Sequence, residues 1–338
     1  PEEQKKLGLE IKQSNLCSEI TLPTNEERTA VCCLSSVNLE HFDYWSKDDQ
    51  FIPDLITMLD NVLQNFIDSV QGKGGYDKAA YSAMRERSIG LGAMGFHSYL
   101  QRNNIAFESM YASSFNNKAF SYIKDRASAT TRKLAEERGE APDMKGSGKR
   151  NAHLLAIAPN ASSSIICGGT SPSIEPIRAN VYTHKTLTGS FKVKNKYLDD
   201  LLLELVPTKK KRDEIWKDIA AHEGSVQHLD ILSDSQKEIF KTAPEINQIW
   251  IIEHADMRQN YVCQSQSVNL FFKPPHYEAD QEIHDEFLQY VNDVHWAGAT
   301  KLKSLYYLRS DSARSTENVN IKIPRIKLDE EGCLSCEG

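Results

Sequence analysis

Residues 14–19 read Ser-Asn-Leu-Cys-Ser-Glu, so an amide, a thiol and a carboxylate occupy alternate positions as Asn15, Cys17 and Glu19. In an extended backbone, residues two apart share a face, and the three groups would point the same way. A carboxylate takes a proton, an amide holds a hydroxyl, and a thiol serves as nucleophile or radical carrier. An edge strand with one polar face and an incidental cysteine explains the same spacing. From spacing alone, that plainer account is the better one.

Other chemistry-bearing residues are scattered along the chain. Cys32 and Cys33 are adjacent, and a disulfide between neighbours is strained, so a redox-active member would have its partner elsewhere. Cys333 and Cys336 form a C-x-x-C in "GCLSCEG". A zinc site would want a second ligand pair nearby, so no metal site is expected there. A mobile dithiol that exchanges with another disulfide fits better, although Asp329, Glu330, Glu331 and Glu337 disfavour the thiolate. Cys167 and Cys263 read as buried structural thiols. "PNASSS" (159–164) presents hydroxyls and N–H groups at a helix start. That is a phosphate cradle, and ordinary N-capping uses the same residues. Asn160-Ala161-Ser162 is formally a glycosylation sequon, discounted because no secretory signal is visible. Tyr306 and Tyr307 would face opposite ways in a regular strand, so stacking them requires an irregular backbone.

The elements that hold these residues alternate between strands and helices, which indicates an α/β fold. Residues 9–22 and the run "RTAVCCLSSVNL" are short extended or loop segments. Pro53 opens an amphipathic helix with Leu55, Met58, Leu59, Val62, Leu63, Phe66, Ile67 and Val70 on its apolar face. A helical stretch over 78–88 leads to Gly90, Gly92 and Gly95 in a G-x-G-x-x-G pattern. A dinucleotide fingerprint needs a preceding strand, whereas Arg85, Glu86 and Arg87 precede this one; close helix packing through small residues is the better account. A long helix follows over 109–138, then a strand at "HLLAIAP" (153–159) and a hairpin around Thr188-Gly189. Residues 198–222 are helical with a break at Pro207, and Lys209, Lys210 and Lys211 read as a solvated face. A helix over 280–299 leads into the strand "SLYYLRS".

The chain has 338 residues and 40% apolar residues, enough for a sizeable core in one large or two ordinary domains. A formal net charge of −7 argues against a nucleic-acid-binding surface. No apolar run reaches membrane-spanning length. The seven irregularly spaced cysteines fit a reducing compartment better than a disulfide framework.

The ordered series SNLC-x-E, VCCLS, PNASSS, LYY-x-R and a C-terminal cysteine pair resembles the large, catalytic subunit of class I ribonucleotide reductases. "SIGLGAMG", "SPSIEP", "NVYTHKTLTGSF" and "CQSQSVN" support the match, and the compact style is closer to T4-like phage versions. The resemblance implies a ribonucleoside-diphosphate reductase (EC 1.17.4.1 type) supplying deoxynucleotides by thiyl-radical chemistry. Cys17 would be the radical cysteine at the tip of a loop near 14–20, Glu19 the base for the 3′ hydroxyl, and Asn15 a substrate holder. Cys32 would be a redox thiol, with Cys33 standing where other members carry a different residue. Tyr306 and Tyr307 would pass the radical inward, and Cys333 and Cys336 would re-reduce the active-site disulfide. Asn160, Ala161, Ser162 and Ser163 would bind the substrate diphosphate.

The implied fold is the second half of a ten-stranded α/β barrel over residues 1–312, followed by a flexible tail over 313–338. No cofactor is expected on the chain itself. The radical would come from a small subunit with a di-iron tyrosyl centre, and nucleoside triphosphate effectors would bind mainly elsewhere. Expected partners are the diphosphate substrate, that small subunit, a thioredoxin- or glutaredoxin-type reductant and a separate chain carrying the first half-barrel, unless the sequence is itself a fragment. Neither nucleic acid nor membrane is expected, and the place of action is the cytoplasm, the host's if the chain is phage-encoded. Two other readings are a non-catalytic fragment that only assembles with the small subunit, and a stand-alone thiol–disulfide exchange protein.

Overall fold

Runs of six or fewer apolar and small residues, each separated from the next by helix, favour parallel strands covered by a helical layer. The computed structural model describes residues 1–186, 189–276 and 278–310, and this pattern is what it contains. After a short helix α1 (Glu2–Lys6) and the 14–20 loop, β1 (Cys33–Asn38) begins the array. Helices α2 (Phe42–Trp45), α3 (Phe51–Val70) and α4 (Asp77–Glu86) connect it to β2 (Ile89–Met94). The two strands pair in parallel, Cys33 opposite Ile89 and Asn38 opposite Met94. Helices α5 (Phe96–Arg102) and α6 (Met110–Arg138) then lead to the extended run 153–158, joined to β2 by a parallel bridge at Leu91 and Leu155.

Past α7 (Ala161–Ile166) the chain makes an antiparallel hairpin of β3 (Val181–Thr186) and β4 (Gly189–Lys194). Helices α8 (Lys196–Leu205), α9 (Lys209–Ala221), α10 (Asp234–Ile239) and α11 (Gln248–Gln259) follow. The chain returns to the array at 264–269, where Ile157 and Gln266 form a parallel bridge. β5 (Leu270–Phe272) then pairs in parallel with β6 (Leu308–Ser310), which is reached through α12 (Gln281–Lys301). Five parallel segments therefore stand side by side: β1, β2, 153–158, 264–272 and 306–310. Five is the number that half of a ten-stranded barrel requires. Cys333, Cys336 and the expected tail lie outside the described residues, as do positions 187 and 188 of the hairpin turn.

The helical layer seals one main core, in which Phe42, Trp45, Phe96, Phe107, Phe115 and Phe120 are buried. Within α3 the buried stripe is Ile52, Ile56, Leu59, Leu63 and Ile67. Met58 and Val62, expected on that face, are 43% and 47% exposed, because the stripe is centred one position away. The stripe also contains Asp60, whose side chain is 1% exposed and meets Arg87 at 2.9 Å, Arg138 at 3.0 Å and Arg150 at 3.4 Å. Burial alone would raise this carboxyl; Arg87 and Arg150 hold it below its ordinary value. The cluster ties α3 to the start of β2 and the end of α6. A smaller core of Val181, Leu198, Leu202, Trp216 and Ile219 consolidates the hairpin with α8 and α9.

The G-x-G-x-x-G stretch is not a helix contact. Its Gly90 and Gly92 lie in β2, buried along its whole length inside the array, and Gly95 follows the strand as the N-cap of α5. A Cβ at Gly90 would lie 2.5 Å from Leu34 Cδ2, and one at Gly92 would lie 2.6 Å from the carbonyl oxygen of Ala156. The glycines let neighbouring segments approach, which is the same physical reason assigned to the wrong element. The obstacle at Gly92 is backbone, which cannot rotate away. Gly92→Ala is therefore expected to cost about 1–3 kcal/mol. A urea unfolding midpoint equal to that of the parent protein would refute the close approach.

Candidate active site

The 14–20 segment is a closed loop, not a strand. Asn15 N donates to Ile20 O at 3.2 Å, Ser18 N donates to Asn15 O at 3.1 Å, and Ser18 sits at φ +63°. The Asn15 side chain helps close the turn, its Oδ1 accepting from Ile20 N at 3.0 Å. Alternation thus does not operate here: Asn15 is exposed, Cys17 half-buried and Glu19 buried. What brings Cys17 and Glu19 together is a clamp of serines from elsewhere in the chain. Ser267 Oγ lies 2.5 Å from the Cys17 carbonyl oxygen and 3.3 Å from Glu19 Oε2. Ser265 N donates to Glu19 O at 2.9 Å, and Ser304 Oγ donates to Ser18 O at 2.8 Å.

Tyr306 OH donates to Cys17 Sγ at 3.5 Å. Tyr306 and Tyr307 have ring centroids 4.0 Å apart with planes 34° from parallel. The irregular backbone that such a pair needs is present: residues 304–307 precede β6 without joining a strand. Tyr306 N donates to Val268 O, and Tyr307 N to Asn269 Oδ1 at 3.2 Å. Burial, then the contacts with Cys17 and Tyr307, push the Tyr306 phenol up. Thiol, phenol and second phenol thus form a continuous chain of contacts. The guanidinium of Arg309 lies 5.1 Å from the Tyr307 ring centre, at the outer end of that chain.

Cys32 precedes β1 and accepts from Gln264 Nε2 at 3.4 Å. Burial pushes this thiol up to about 12, with the Gln264 contact working against the shift. Asn160 stands at φ +54° before α7, its Nδ2 bonded to Ala93 O and Ala158 O. Ser163 Oγ donates to Asn160 Oδ1 at 3.2 Å, while Ala161 and Ser162 are exposed. This places the loop next to the end of β2. Cys263 is partly buried and its sulfur accepts from Leu154 N and Leu155 N, as a structural thiol would. Cys167, expected to be buried, is exposed, since α7 ends at the surface there.

The run 264–269 was undervalued in the sequence. Gln264 meets Cys32, Ser265 and Ser267 hold the 14–20 loop, and Asn269 meets the backbone of Tyr307. Its legible signal was a string of polar residues, "QSQSVN", between helix and strand. Among the described residues, Asp218, His222 and His228 form a group of possible metal ligands at the end of α9. Their imidazoles stack at 3.7 Å with planes 22° apart, and each puts a ring nitrogen on the Asp218 carboxylate, His222 Nδ1 at 3.2 Å and His228 Nε2 at 3.0 Å.

A family model described as ribonucleotide reductase, barrel domain, matches residues 2–148 and 142–308. The chain belongs to the ribonucleotide reductase large-subunit family. It is 47% identical over 340 aligned residues to the ribonucleoside-diphosphate reductase large subunit of Invertebrate iridescent virus 3, covering all of this chain and 52% of that protein. It is 45% identical to the putative large subunit of Frog virus 3, covering 99% of this chain and 57% of the relative. Both relatives are viral, and viral kinship is the part of the phage-type expectation that they support. The alpha subunit of an Actinobacillus ureae class Id ribonucleotide reductase superposes with a TM-score of 0.81 at 39% identity, over 93% of this chain and 56% of that one. The chain thus spans about half the length of these relatives.

Behind the tyrosines of the reductase chain lies Glu175, 4% exposed, which accepts from Asn269 Nδ2. Burial raises its carboxyl to about 7, against Asn269, Arg178 and Arg309. The neutral form is favoured in the fold, so its contribution is complete below the ordinary carboxylate range and is lost as pH rises through about 7. Glu175→Gln keeps an acceptor for Asn269 and removes the charge. The variant is expected to exceed the parent in stability near pH ~8 and to lose that advantage by pH ~4. Equal unfolding midpoints at both pH values would contradict this.

Proposed function

We propose that this chain is a catalytic portion of a ribonucleoside-diphosphate reductase large subunit and turns over after assembly with the remainder of the barrel. The observation that carries the reading is the Tyr306–Cys17 contact, 3.5 Å from phenol oxygen to sulfur, with Glu19 two residues beyond the thiol. A radical arriving through Tyr307 and Tyr306 would take the hydrogen atom from Cys17. The resulting thiyl takes hydrogen from the ribose 3′ carbon, breaking C–H and forming S–H. Glu19 takes the 3′ hydroxyl proton, which eases departure of the 2′ hydroxyl as water once a thiol of the redox pair supplies it with a proton. Asn15 has its Oδ1 engaged with Ile20 N, so its amide N–H groups are what it brings to the substrate. Asn160, Ala161, Ser162 and Ser163 receive the diphosphate, and Cys32 contributes a reducing thiol.

The remaining assignments follow the family pattern. A small subunit with a di-iron tyrosyl centre supplies the radical, Cys333 and Cys336 relay electrons from a thioredoxin- or glutaredoxin-type protein, and nucleoside triphosphates regulate from the other half. No described helix is long and apolar enough to cross a membrane, and cytoplasmic action accords with the reduced thiols. Both edges of the five-segment array favour a complementary half. Among the described residues β1 pairs with β2 and β6 with β5, while Leu34 and Leu308 on these edges are 42% and 52% exposed. Unpaired apolar edges call for a covering chain.

The test mixes this chain with a candidate first half and a radical-bearing small subunit and measures diphosphate reduction. Turnover is expected in the mixture. Cys17→Ser should abolish it, leaving assembly intact, and Tyr306→Phe should stop radical transfer without weakening substrate binding. Turnover retained by Cys17→Ser would sink the radical assignment. Assembly without turnover would favour the non-catalytic fragment, and disulfide exchange by the isolated chain would favour the stand-alone thiol protein.

A further inference from the structure

Gln264 is fully buried at the point where the 14–20 loop, β2 and the segment before β1 meet. Its Oε1 accepts from Thr21 N at 3.3 Å, and its Nε2 donates to Ile89 O at 3.1 Å and to Cys32 Sγ at 3.4 Å. The two backbone groups fix which way the carboxamide lies. A backbone N–H accepts nothing and a carbonyl donates nothing, so the oxygen must face Thr21 and the NH2 must face Ile89. The second hydrogen of that NH2 is then left pointing at sulfur.

We infer that Gln264 is a positioning residue for Cys32: one planar amide locks the thiol in register with the loop carrying Cys17 and Glu19, and supplies an N–H to its thiolate. The inference rests on Cys32 being a redox thiol of the proposed reaction. When a dithiol reductant re-reduces a disulfide containing Cys32, its thiolate attacks the other sulfur. A new S–S bond forms, the old one breaks, and the electron pair departs on Cys32, which then takes up a proton. Burial opposes that anion, and the Gln264 N–H favours it. Thr21 lies two residues beyond Glu19, so the same amide sets how far the thiol stands from the loop. Cys263, the adjacent residue in sequence, is held by Leu154 N and Leu155 N and takes no contact from the Gln264 side chain.

Gln264→Glu and Gln264→Met keep the length of the side chain and remove the donor. The experiment follows iodoacetamide labelling of Cys32 and Cys263 in the full chain across pH, read by peptide mass spectrometry. The expected result is a Cys32 profile moved to higher pH in both variants, with labelling about tenfold slower at a fixed pH, the size of one hydrogen bond to a charged group. Cys263 should keep its profile, and Gln264→His, which retains a ring N–H, should recover part of the Cys32 rate. An unmoved Cys32 profile in a folded variant overturns the inference, as does an equal shift at Cys263, which would mean general loosening. If none of the variants folds, the unsubstituted chain decides. Its Gln264 side-chain NH2 resonances should shift when Cys32 is alkylated, and unshifted resonances overturn the inference. Turnover stays separate: a Cys32→Ser assembly that still turns over would remove the redox role and leave the labelling result standing.

Discussion

The candidate site depends on one extended run, residues 264–269, that spends its side chains on other segments. Gln264 reaches Cys32, Ser267 reaches the 14–20 loop, Ser265 reaches Ser304 while its backbone N–H holds Glu19 O, and Asn269 reaches Tyr307. Its backbone is bridged to 153–158 at Gln266 and passes directly into β5. A buried polar run of this kind is costly unless each group finds a partner. Here those partners are the groups proposed to react, so satisfying the run and assembling the site are the same event.

The run must itself be held rigidly, and the helical layer does this with unusual chemistry. Behind it, the guanidinium of Arg258 is fully buried and, among the described residues, pairs with no carboxylate. It donates to Gln266 Oε1 at 3.0 Å and Asn116 Oδ1 at 2.9 Å, and packs against the rings of Phe96 and Phe120. Burial lowers this guanidinium to about 9. Gln266 passes the contact onward, its Nε2 donating to Ala255 O at 2.8 Å. The polar string alternates: Ser265 and Ser267 engage the 14–20 loop, by backbone N–H and by side chain respectively, while Gln266 is anchored to α11. That is strand periodicity put to use outside a regular ladder.

The architecture was legible where a pattern spans many residues. The helices over 51–70, 110–138 and 281–301 have periodicity and punctuation, and the chain-long order of motifs gave the barrel. What misled was local. Asn15, Cys17 and Glu19 alternate as a strand would, yet Ser18 adopts a left-handed backbone and the loop is closed by hydrogen bonds within it. No short-range rule forces that turn; Ser267 and Ser304, 250 and 286 residues away in sequence, hold it. Nothing in the sequence marks the buried Asp60, because its arginines come from three separate places. The glycines of β2 carried the right signal, close approach, but gave no indication of which kind of element was approaching.

The contact between Tyr306 and Cys17 constrains how a radical could cross it. The phenol is shifted up by partial burial and by its neighbours, so it holds its proton firmly near neutral pH. A bare electron cannot pass between this phenol and the thiol without leaving opposite charges on oxygen and sulfur in a partly buried site. Moving the hydrogen atom as a unit avoids that, because oxygen and sulfur each remain neutral before and after. The hydrogen bond observed between them is the geometry this transfer needs, with the phenol as donor in the resting state. Glu19, held by Ser267, would in the proposed reaction be left to handle the substrate's proton. On the proposed reaction the serine clamp would separate the movement of hydrogen atoms along the tyrosines from the movement of protons at the carboxylate, Cys17 and Glu19 being two residues apart in one loop.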